Sequence, residues 1–271
     1  MKERVIILAE GGVCGHFICT LLQTMHVPEW FSNVKVPDDG CMDPIAEAGS
    51  LVTNYLQTKK QHVIYPEREE SMDLIMHSFK NPETTYKPYQ SEYEKQFHEV
   101  HVLHYQWQWH VLKFLFLPNT KIIFIRYDAD DYKRIAVNKI TKNFSKESAI
   151  TEPPDRFNFR KAKYAADLLD WAGLSNSDLI DELHALTNLD QASKSLTNAL
   201  IHAWEIYIDR RSVHCNPRPH KNMLILNFND IYVNKEIIME SLSEFSGLPI
   251  NDTTRSIYDN YLANQPNIDL Y

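Results

Sequence analysis

The chain is expected to fold as an α/β protein, with three layers in which helices flank a mostly parallel central sheet. Three observations point there. Short apolar or β-branched runs alternate with helical patterns, and strands separated by helices pair in parallel. Two of those runs, 5–9 and 122–125, are apolar without alternation, which suits strands covered on both faces. The first run passes straight into glycines and then into a second apolar pattern, the beginning of a strand–loop–helix unit.

Taken in order, the strands are expected at 4–9, 100–104, 121–127 and 222–228, with a weaker one at 62–65. Helical patterns fall at 15–26, 43–58, 67–79, 106–117, 130–142, 156–171, 190–211, 234–247 and 252–264. Pro118-Asn119 closes one helix just before a strand, and Gly247 followed by Pro249 marks a helix C-terminus. Asn251-Asp252 can cap the last helix. The polar, helical stretch 145–189 opens near Pro153-Pro154. It reads as an insertion or cap within a single domain spanning 1–271.

At 271 residues and 44% apolar content the chain can bury one large core, or one core with a helical elaboration. A net charge of −8 argues against a general nucleic-acid partner. Cys14, Cys19, Cys41 and Cys215 form no Cys-x-x-Cys pair, as expected of free thiols in a reducing compartment. No leader is expected before the first strand, and no apolar run approaches the ~18 residues of a membrane span. A cytoplasmic protein without a membrane partner is the expectation.

Ligands of open parallel sheets bind at the carboxyl ends of the strands. Four features fall there: the loop Gly11-Gly12-Val13-Cys14-Gly15-His16, then His104-Tyr105, then 126–131, then Asn229-Asp230. Glycines let backbone N–H groups converge, and a helix N-terminus adds partial positive charge, so the first loop could cradle a phosphate. It matches neither the Gly-x4-Gly-Lys-Ser/Thr pattern nor Gly-x-Gly-x-x-Gly, and no Lys or Arg occurs from 5 to 34. An ordinary tight turn is the competing reading.

Arg126, at the tip of a buried strand, could grip a phosphate with two N–H groups. Arg134 and Asn138 share a face of the helix that follows. Alternatively Arg126 pairs with Asp128 or Asp130, while Lys133 and Arg134 are solvated. His104 has the right chemistry for a general base, though 12 histidines make an ordinary structural one a strong alternative. His98, His101 and His104 would gather on one side of a helix, but a strand puts His101 and His104 on opposite faces, and no metal is expected. The basic stretch from Arg210-Arg211 to Arg218-Pro219-His220-Lys221 is a solvated loop by default, or a source of cations. Trp107, Trp109, Phe114 and Phe116 read as core. Cys14 reads as a small filler residue, since no paired base accompanies it.

The order of these features resembles the sulfotransferase family, particularly the divergent branch of marine microbes and their viruses. Three stretches carry the likeness: the first strand with Gly11-Gly12-Val13-Cys14-Gly15-His16-Phe17-Ile18; 117–131 with its strand ending at Arg126; and 223–232 followed by Phe245-Ser246-Gly247-Leu248-Pro249. Val102-Leu103-His104 before a helix resembles the family's strand bearing a catalytic histidine. The resemblance implies a P-loop-like sulfotransferase fold and the sulfuryl donor 3′-phosphoadenosine 5′-phosphosulfate (PAPS), with no metal. It implies that the backbone from Gly11 to Phe17 holds the 5′-phosphosulfate, with His16 as a donor, and that Arg126, Arg134 and Asn138 hold the 3′-phosphate. His104 becomes the base acting on a hydroxyl or amine of a small-molecule or glycan acceptor. The first loop lacks the family's Lys or Arg and Ser/Thr, and the turn after Arg126 lacks its Pro. Two alternatives follow: a catalytically silent relative serving as a binding or structural module, and a nucleotide or nucleoside kinase, which would need the missing Lys.

Overall fold

The computed structural model describes residues 4–9, 12–26, 99–104, 120–143, 154–186, 192–211 and 219–270. The helical patterns at 43–58, 67–79 and 106–117 and the weak strand at 62–65 lie outside them, as do Gly11, Tyr105, His98 and the aromatic residues 107–116.

The described residues form two units: Met1–Tyr127 with Val213–Gln265, and Asp128–Ser212 with Pro266–Tyr271. The first holds the sheet. Its strands are β1 (Arg4–Ala9), β2 (Glu99–His104), β3 (Thr120–Arg126) and β4 (Met223–Asn227), in the order β2-β1-β3-β4. All three strand pairs are parallel, so the α/β expectation holds among the described residues. Ile6, Ile7, Leu8 and Ile122 to Ile125 are buried without alternation. Successive strand residues face opposite sides, so both faces of β1 and β3 are covered.

Helix α1 (Gly15–His26) follows β1 and buries Phe17, Ile18, Leu21, Leu22 and Met25. That apolar stripe recurs at helical spacing, and α1 contacts both β1 and β2. After an intervening stretch of chain the described residues of the second unit form α2 (Tyr132–Asn143), α3 (Pro154–Ala172), α4 (Ser177–Ala185) and α5 (Lys194–Arg211). The 3-10 turn Ala129–Asp131 leads into α2. Helix α5 packs on α2 and α3 through Leu196, Leu200, Trp204 and Ile208, one turn apart. The segment expected as an insertion, 145–189, falls in this unit. The expected start of α5 at 190 moves to Lys194 because Ser193 caps it: its hydroxyl accepts from Leu196 N–H and is itself held by Glu182.

The chain then returns to the first unit as β4, a one-turn helix α6 (Asp230–Val233) that sequence reading did not separate, α7 (Lys235–Ser246) and α8 (Asp252–Ala263). Gly247 terminates α7 in the left-handed region, at φ 76°, as its sequence position predicts. Asn251 caps α8 by accepting from Thr254 N–H at 2.9 Å, and its amide donates to Thr24 O at 2.9 Å. Thr24 and Thr254 hydroxyls meet at 3.1 Å. This knot fastens the end of α1 to the start of α8. No helix among the described residues is long and apolar enough to cross a membrane.

Candidate anion-binding turn at the carboxyl end of the sheet

The chain lays β2 on one side of β1, then returns to lay β3 and β4 on the other. The sheet order therefore reverses between β1 and β3, and ligands of such sheets bind in the crevice at that reversal. The loop entering α1 follows β1, and Arg126 ends β3. Ala9 is in register with His104, and Arg126 with Asn227. The carboxyl end of the sheet thus carries, in spatial order, His104, the 12–15 turn, Arg126 and Asn227.

The turn has a distinctive backbone. Positive φ recurs at Gly12 (93°) and Cys14 (59°), with Val13 between them in the ordinary region. Alternation of hand in φ along a short turn is one requirement of an anion-binding nest. Cys14 O then accepts from Ile18 N–H at 3.0 Å, the first bond of α1. The first N–H groups of a helix have no partner within it, and the first turn of α1 carries no acidic residue to compete for them. Val13 and Phe17 are fully buried and carry no side-chain donors, so at those positions the turn presents its backbone.

Cys14 corrects the sequence reading. It is not a filler: its Sγ lies 2.8 Å from the Tyr261 hydroxyl and 3.1 Å from that of Tyr232. The Phe17 ring stacks on Tyr261 with centroids 3.6 Å apart and meets Tyr258 edge-on at 5.0 Å. The Tyr258 hydroxyl donates to Ile231 O at 2.7 Å. Burial, then the neighbouring Cys14 and Asp230, push its ionisation well above the ordinary tyrosine value. Cys19, wholly enclosed, has its thiol pushed up to about 12 by burial, which keeps it inert.

Arg126 is exposed, and its Nε and Nη2 both donate to Asn227 Oδ1, at 3.0 and 2.6 Å. Asn227 Nδ2 donates to Asp230 at 2.8 Å, and Asn234 holds the second oxygen of Asp230 at 2.8 Å. The guanidinium is thereby oriented, with other N–H donors left over for a ligand. Asp128 instead caps its own turn, accepting from Asp130 N–H at 3.0 Å while its N–H donates to Asp131 at 3.1 Å. Sequence reasoning missed Asn227; its signal is the neighbouring strand end, visible only once β3 and β4 are in register.

Arg134 and Asn138 both lie on α2 in the second unit, Arg134 half-buried and Asn138 buried. His16 is the second residue of α1 and His104 the last of β2. The strand carries His101 and His104 at positions of opposite face. Among the described residues no group of three or more His, Cys, Asp or Glu side chains is placed to hold a metal.

The second unit contains a cleft of about 490 Å³, where the start of α2 meets the end of α5. Asp130, Glu205 and Asp209 line it together with Lys133, Arg210 and Tyr132. Arg210 lies over the Trp171 ring at 5.0 Å and donates to Trp171 O at 3.4 Å, leaving that indole 40% exposed. Tyr207 meets Trp171 edge-on at 5.3 Å and stacks on Trp204 at 4.6 Å.

Compared with family models, curated proteins and solved structures, the chain matches none.

Proposed function

We propose that the chain binds a phosphorylated adenosine donor at the carboxyl end of its sheet and transfers a sulfuryl group from PAPS to a hydroxyl-rich acceptor. The observation that carries this reading is the turn of alternating hand at Gly12 and Cys14. It feeds the acid-free start of α1 at the point where the sheet order reverses, next to the strand that ends in Arg126. Such a turn offers dipoles already oriented toward an anion, with no reorganisation to be made on binding.

The donor set fits phosphate and sulfate oxygens: backbone N–H groups of residues 12–17, and Arg126 held in orientation by Asn227. PAPS supplies an activated sulfuryl group and a bisphosphate leaving group. The protein's part is positioning and charge stabilisation, as in phosphoryl transfer. His104, ending the strand beside β1, is the group proposed to take the acceptor proton. His16, the second residue of α1, completes the proposed contacts to the donor. No metal is required by this scheme. The polar composition of 145–189 supports a hydrophilic, glycan-like acceptor.

A catalytically silent binding module is the second reading. It is favoured by the absence of any Lys or Arg from 5 to 34 and by the two bonds Arg126 already gives to Asn227. Incubation with PAPS and a panel of glycans separates the two. An enzyme releases adenosine 3′,5′-bisphosphate in an acceptor-dependent way, and His104→Ala stops that release while still binding the bisphosphate. Unchanged turnover in the variant removes His104 from the mechanism. Bisphosphate binding without release on any acceptor supports the silent module.

A further inference from the structure

We infer that Cys14, Tyr232 and Tyr261 form a positioning device that holds the 12–15 turn in its anion-receptive shape. The inference rests on the reading of that turn as the donor site. Cys14 has φ 59°, a region that glycine enters freely and other residues rarely do. If the fold needed only that backbone angle, glycine would serve, and glycines already stand on either side at 12 and 15. A thiol at this position does something glycine cannot. Its Sγ reaches two tyrosine hydroxyls, at 2.8 and 3.1 Å, and those hydroxyls lie 3.3 Å from each other.

The triangle joins the turn to α6 and α8, elements 218 and 247 residues further along the chain. Tyr261 acts twice, since its ring also stacks on Phe17, three residues beyond Cys14. Both ends of the helix start are thus gripped from one direction, by the thiol on the turn and by the ring inside the first turn of α1. A sulfur held from the protein interior fixes the Cys14 backbone, and with it the aim of the N–H groups that follow. None of the three side chains is proposed to touch the ligand; they act through the backbone of the turn.

Cys14→Gly, Cys14→Ser and Tyr261→Phe test this. Glycine relieves the backbone angle and deletes both thiol contacts. Serine keeps a hydrogen-bonding group. Phenylalanine at 261 keeps the ring stacked on Phe17 and removes one hydroxyl, so it preserves folding. Amide exchange over residues 12–18 is measured without ligand, and affinity for adenosine 3′,5′-bisphosphate and for inorganic phosphate by calorimetry. Cys14→Gly is expected to exchange about tenfold faster in the turn and to bind the bisphosphate about tenfold more weakly, the effect of losing one net hydrogen bond or two. Cys14→Ser is expected to recover most of both, and Tyr261→Phe to fall between. Unchanged exchange in Cys14→Gly and in Tyr261→Phe overturns the positioning role. If the unaltered protein binds neither probe, the donor-site reading fails, while the exchange data still decide whether the thiol holds the turn.

Discussion

Replacing Phe17 by alanine removes the ring that ties the start of α1 to α8. The side chain is fully buried, stacked on Tyr261 at 3.6 Å and edge-on to Tyr258 at 5.0 Å. Truncating a buried phenylalanine costs ~3–5 kcal/mol. Each aromatic contact is worth ~0.5–1.5 kcal/mol beyond area burial, which places Phe17→Ala in the upper half, at about 4–5 kcal/mol. Total stability of a protein is only ~5–15 kcal/mol. At a urea slope of ~3 kcal/mol/M, the midpoint falls by about 1.3–1.7 M. Phe17→Leu keeps apolar bulk and loses the ring geometry, so about 1–2 kcal/mol is expected. Urea titration followed by circular dichroism gives both values. An alanine variant within about 1 kcal/mol of the unaltered protein would refute the packing described for α1 and α8.

The Asn251 knot makes a second prediction. Asn251→Ala loses the cap of α8 and the bond to Thr24 O, about 2–3 kcal/mol together, whereas Asn251→Asp keeps the cap and loses about 1 kcal/mol; equal losses in urea titration would contradict the double role. Arg126 is exposed and its charge is screened by solvent. Arg126→Ala should therefore weaken bisphosphate binding by only about two- to tenfold at low salt, with the difference shrinking as salt rises; equal low-salt affinities remove Arg126 from the site. Asp131 has its carboxyl raised above the ordinary 3.8, chiefly by burial, with Asp128 N–H bonding acting against it. A raised carboxyl favours the folded state when protonated, so that contribution is complete below the unfolded value and is lost as pH rises through the folded one. The stability of Asp131→Asn relative to the unaltered protein should thus increase from pH about 3 to about 6, and a flat or falling difference would show the burial effect is absent.

The local signals of the fold were legible where chemistry is local. Helix α1 follows the expected 15–26, Gly247 stops α7, and Asn251 caps α8, because each depends on residues within one turn. Strands β1 and β3 stood out because they are apolar on both faces. The glycine turn was visible at 11–15, but its shape was not. That depends on Cys14 taking a left-handed angle and on two tyrosines from the far end of the chain. Arg126 was legible as a cation at a strand tip, whereas its partner Asn227 follows from the β3–β4 register. The start of α5 was misread by four residues because Ser193 is recruited as a cap by Glu182 across the α4–α5 connection, a contact outside any local window.

The central claim is that the carboxyl end of this sheet receives a bisphosphorylated adenosine, and calorimetric titration tests it most directly. Adenosine 3′,5′-bisphosphate is titrated into the protein, alongside ATP with and without Mg²⁺. Binding of the bisphosphate in the micromolar range, with ATP much weaker and indifferent to Mg²⁺, is the predicted result. No binding of the bisphosphate, or tighter binding of ATP that depends on Mg²⁺, would contradict it.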